Sequence, residues 1–128
     1  MMKTLFRLLL GYGLLLPAWA ATSDLPPQPT AKTERVPQFE NDEVKVWKSV
    51  VLPNSPLPMH RHEHPRVIIA LVGGTMKIVQ QDGAQESHEW RSGSAYWLPA
   101  NPAGTLHSDV NVGDKPIEVM VVELKQAK

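Results

Sequence analysis

The stretch PMHRHEHPR, residues 58–66, sets His60, His62 and His64 on alternate positions and puts Arg66 on the next one. On an extended chain that alternation sends all four side chains from one face. His60 and His62 would then stand about 7 Å apart at Cα, near enough for both imidazoles to reach one ion while a third ligand arrives from a neighbouring strand. A His-x-His pair by itself also describes a polar, solvated strand edge, so it needs a partner elsewhere. The partner stretch is GSAYWLPANPAGTLHSDVN, residues 93–111, which carries His107 and Asp109. The alternation that turns His107 inward turns Asp109 inward as well.

The elements that must position these groups are strands. No helical period of 3.6 runs through the chain. Short runs rich in Val, Ile, Trp and Thr are instead separated by Gly, Pro, Asn and Asp. The clearest span residues 43–52, 66–74, 75–81, 85–91, 94–99, 106–112 and 116–125. Asp82-Gly83 marks a tight hairpin turn, and Gly73-Gly74 allows a second. Strands at this spacing predict an all-β sandwich or barrel whose concave interior can hold one ligand. Trp47, Trp90, Tyr96 and Trp97 are expected in the core, with one of the Tyr96/Trp97 pair facing inward. His88 has no partner spacing and reads as a surface strand residue.

Other segments bound where the chain works. Lys3 and Arg7, the apolar LLLGYGLLL of residues 8–16 and Ala18-Trp19-Ala20 together read as a signal peptide over residues 1–20, cleaved before Ala21. A periplasmic or secreted protein is expected, with no membrane segment after cleavage. Losing Lys3 and Arg7 from 13 Lys/Arg leaves 11 against 13 Asp/Glu, a formal charge of −2. That balance gives no footprint for nucleic acid. With no Cys, the domain must hold together by burial alone. Residues 21–38 are proline-rich without apolar period and read as a loosely attached arm, which starts the domain proper, 39–128, at Phe39.

The two histidine stretches resemble the paired motifs of the cupin family. His60-x-His62, three residues, the position usually held by Glu, six residues and Gly73 match the first motif. Gly93, Pro99, Pro102-x-Gly104-x-x-His107 and Asn111 match the second. The resemblance implies a cupin double-stranded β-helix, a jelly-roll-like barrel, with His60, His62 and His107 as ligands of a divalent ion (Fe, Mn, Ni or Zn). It also implies a homodimer, since the proline-rich arm is similar to cupin segments that cross to a partner. The chain departs from the family at two places: Arg66 occupies the usual Glu position, and three extra residues, Ala100-Asn101-Pro102 or their equivalent, precede Gly104.

Arg66 has an energetic consequence. A guanidinium about 5 Å from a dication is repelled by roughly 6–7 kcal/mol at an effective dielectric of 20. A carboxylate could offset this, so an Arg66–Asp109 ion pair inside the barrel mouth is one expectation. The other is that Arg66 snorkels outward while Asp109 caps a turn. His64, followed by Pro65, is a candidate fourth nitrogen ligand or a donor behind the first three. Three functions stay open: a metal-dependent enzyme of the dioxygenase or isomerase type acting on a small carboxylate clamped by Arg66 in a ligand site that Asp109 also lines, a metal-free small-molecule binding module, and a structural role through the arm.

Overall fold

The computed structural model describes residues 31–125; the expected signal peptide, residues 1–20, and the first part of the expected arm, residues 21–30, lie outside them. Eight strands follow in order: β1 (Glu34–Glu40), β2 (Val44–Val51), β3 (Arg66–Val72), β4 (Gly74–Gln80), β5 (Gln85–Trp90), β6 (Ala95–Leu98), β7 (His107–Asn111) and β8 (Ile117–Leu124). They form two antiparallel sheets, β1-β2-β8-β3-β6 and β5-β4-β7, and no helix occurs among the described residues. All seven expected strands are present, within two residues at each end.

Alternation decides which side chains meet between the sheets. On β8, Ile117, Val119 and Val121 face inward, and the antiparallel register sets them beside Val51, Ser49 and Trp47 of β2. Ile68 and Ala70 of β3 lie opposite Val121 and Val119, and the second sheet adds Met76 and Trp90. Each of these apolar side chains is at least 94% buried, which makes this shared interior the dominant source of stability in a domain without disulfides. Continuing the same inward parity to the strand ends replaces apolar groups with chemistry. Glu123 follows Val121 on β8, Arg66 precedes Ile68 on β3, and the two are register partners. The functional groups therefore sit at one end of the core, fixed by the strands that build it.

Three expectations need correction. The sheet begins at Glu34 rather than Phe39, because β1 crosses that boundary and pairs with β2. As an edge strand it tolerates Pro37, and its inward positions opposite Ser49 and Trp47 are held by Arg35 and Pro37, so no apolar period betrays it. Gly73-Gly74 is not a hairpin: β3 belongs to one sheet and β4 to the other. Gly73 is required there because a Cβ would lie 2.1 Å from the Trp90 carbonyl oxygen. Trp97 is 59% exposed, and Tyr96 is the inward member of its pair, packed edge-on against Trp90 at 4.7 Å. The Asp82-Gly83 hairpin between β4 and β5 is present, with Gly83 at φ 90°.

Candidate metal centre

The first two histidines are not on a strand. Residues 52–65 run irregularly along β7, with Leu57 N–H donating to Asp109 O at 3.0 Å and the Ser108 hydroxyl donating to Leu57 O at 2.6 Å. The buried Leu57 side chain anchors this segment in the core. His60 then exchanges both backbone hydrogen bonds with His107, at 2.9 and 2.8 Å. His62 is held by Asn101, whose side-chain oxygen accepts its N–H and whose own N–H donates to its carbonyl, both at 2.8 Å. The extra residues of the second motif thus supply the clamp on His62.

These constraints bring His60, His62 and His107 together, with ring centroids 4.4–5.6 Å apart and one ring nitrogen from each within 4.8 Å of the others. Their outer nitrogens are partly committed. His60 Nδ1 donates to Pro58 O at 2.7 Å, and His62 Nδ1 lies 3.2 Å from the Glu123 carboxylate, an arrangement that leaves each Nε2 with its lone pair free. The His62 ring also stacks on Trp47, 2° from parallel at 5.9 Å. Burial, with the field of Arg66 and Arg35, pushes the His62 pKa down to about 2, and burial lowers those of His60 and His107 too. All three rings are therefore neutral at pH 7, the form that ligates metal. His60 Nε2 is buried and has no hydrogen-bond partner among the described residues, as expected of a nitrogen meant for an ion.

A cavity of about 220 Å³ opens beside the triad, lined by His62, His107, Arg66, Arg35, Asp109 and Trp47 among others. Arg66 does not snorkel: it is 6% exposed and its Nη1 donates to Pro99 O at 3.1 Å. The expected Arg66–Asp109 ion pair is not formed within 4.0 Å. The Asp109 carboxylate stands instead by the histidines, Oδ2 3.4 Å from His60 Nε2 and Oδ1 4.0 Å from His107 Nε2. Arg66 still feels it. Burial pushes its pKa down to about 10, against which Asp109 and Glu123 act.

His64 lies outside the cluster. His88 is a partly exposed residue of β5, as expected of a surface strand position, and its ring also borders the cavity, stacked on Trp90 at 5.3 Å and 3.0 Å from Glu86. The sequence reading missed Glu123, Asn101 and Arg35. Glu123 was detectable as the residue after Ile117, Val119 and Val121 in the inward parity of β8.

No family model matches the chain, and no curated protein does. Solved structures do. A cupin domain from Bordetella pertussis Tohama I is 22% identical with a TM-score of 0.65, over 74% of this chain and 95% of that one. An RmlC-like cupin family protein with a double-stranded β-helix fold from Methanocaldococcus jannaschii is 20% identical with a TM-score of 0.57, over 76% and 84%. An RmlC-like cupin protein from Desulfovibrio desulfuricans is 21% identical with a TM-score of 0.52, over 73% and 82%. The chain has the cupin fold, a double-stranded β-helix built as an RmlC-like jelly roll, with a cluster of three histidines that could hold a metal ion.

Proposed function

We propose that this protein is an exported small cupin that binds a divalent metal ion through His60, His62 and His107 and a small carboxylate beside it. The observation that carries the reading is the buried, unpartnered His60 Nε2 among neutral rings. Charge supports the anionic ligand. Arg35, Arg66, Glu86 and Asp109 line the cavity and Glu123 stands behind His62, so adding a dication leaves a net positive charge that a small anion would neutralise. Bound there, the ion would supply Lewis-acid polarisation and, if iron or manganese, redox chemistry. The chain's own groups do the rest. The Arg66 guanidinium presents donors to a carboxylate, Glu123 orients His62, and Trp47 and Leu98 wall the cavity against water. Export is supported by the charged start, short apolar run and small-x-small site of residues 1–20.

Elemental analysis of untagged protein, followed by calorimetric titration with Mn(II), Fe(II) and Zn(II), tests the reading. One ion per chain is expected, lost in His107→Ala. Protein that takes up no metal yet still binds carboxylates would overturn it in favour of a metal-free binding module.

A further inference from the structure

We propose that Asp109 is a fourth protein ligand of this metal site, supplying from β7 the carboxylate that Arg66 displaces from the first motif. The proposal rests on the reading of the triad as a metal site and adds a ligand to it. His60 Nδ1 donates to Pro58 O, which in the neutral ring leaves the Nε2 lone pair 3.4 Å from Asp109 Oδ2. A carboxylate and an imidazole lone pair are both acceptors and gain nothing from facing each other. A cation between them satisfies both.

The spacing agrees. Two ligand atoms each about 2.0–2.2 Å from one ion stand ~3–4.4 Å apart, depending on the angle at the metal. The Asp109 oxygens lie at 3.4 and 4.0 Å from the ring nitrogens of His60 and His107. Nor is this carboxylate engaged elsewhere. Glu123 is occupied by His62 Nδ1, whereas the Asp109 side chain accepts no hydrogen bond among the described residues. Placement comes from the backbone: Asp109 is two residues past His107 on β7, with the same inward parity, and its carbonyl oxygen accepts Leu57 N–H from the segment that carries His60. Its charge also lies where it offsets Arg66.

The test uses untagged parent protein, Asp109→Asn and Asp109→Glu, titrated calorimetrically with Mn(II) and Zn(II). Water-proton relaxation of the Mn(II)-loaded proteins counts coordinated waters, and circular dichroism confirms folding. Asp109→Asn should weaken binding at least tenfold and admit one further water, while Asp109→Glu recovers part of the affinity. Asp109→Asn within twofold of the parent overturns the proposal. So does weaker binding with an unchanged water count, which would make Asp109 an electrostatic neighbour only. A parent that binds no metal overturns the triad reading itself, a failure seen before any variant is compared.

Discussion

His60 and His107 face one another through a reciprocal pair of backbone hydrogen bonds, N–H to O at 2.9 Å and 2.8 Å, with their rings 4.4 Å apart. One residue belongs to an irregular segment and the other to β7, so the centre is fixed by backbone pairing rather than by side-chain packing alone. The third histidine lacks such a bridge and depends on Asn101.

That dependence sets the first prediction. Asn101→Ala removes the acceptor of His62 N–H while leaving the histidines untouched. A lost hydrogen bond of this kind costs about 1–2 kcal/mol, so the variant should melt several degrees lower and bind metal roughly tenfold more weakly. Thermal unfolding and calorimetry read both. Parent-like metal affinity would show that His62 holds its place without the clamp.

The second prediction is acid sensitivity of the metal-free protein. His62 is held near pKa 2 by burial, but returns to about 6.5 when the chain unfolds, so between these values the unfolded state binds the extra proton. Stability is full above pH 6.5 and falls as the pH drops below it, by about 1.4 kcal/mol per unit from His62 alone. His60 and His107, lowered in the same direction, steepen the fall. Melting temperatures of chelator-treated protein across pH 7.5 to 5 measure this, and a flat profile contradicts the neutral, buried triad.

Gly73 supports a prediction about the scaffold. Its missing side chain lets the Trp90 carbonyl and Ser92 N–H approach where the chain passes from one sheet to the other. Gly73→Ala forces backbone apart and should cost more than about 2 kcal/mol. At 4–8 °C per kcal/mol for a domain near 100 residues, the melting point should fall by roughly 10 °C or more. A shift under 2 °C would mean that the crossing relaxes freely.

What was legible in the sequence followed from strong alternation. β8, with Ile117, Val119 and Val121 on one face, and the paired histidine stretches stand out because burial and spacing leave a period-2 trace. β1 left none, since its inward residues are Arg35 and Pro37. The partner of Asp109 was missed for a related reason. Parity says that Asp109 and Arg66 both face inward, but only the path of residues 57–60 along β7 decides that the carboxylate meets histidines before it meets the guanidinium. Gly73-Gly74 misled because a glycine needed for close approach and one needed for a turn look alike in sequence.

The last prediction isolates Arg66, whose buried guanidinium faces Glu123 across the β3–β8 register and borders the cavity. Arg66→Gln removes the charge and keeps a donor for Pro99 O, whereas Glu at this position would crowd a second carboxylate against Glu123. Two effects then act with one sign on the metal. Repulsion of the dication disappears, and Asp109 and Glu123 are left less compensated, so divalent metal should bind about tenfold more tightly, ~1.4 kcal/mol. For a small carboxylate the sign reverses, because a charge-assisted donor is lost, and acetate or malonate should bind the metal-loaded variant at least tenfold more weakly than the parent. Calorimetry with Mn(II) followed by the carboxylate separates the two. Unchanged metal affinity would mean that the Arg66 charge does not reach the ion, and unchanged carboxylate affinity would remove Arg66 as the clamp and leave Arg35 as the cation to test.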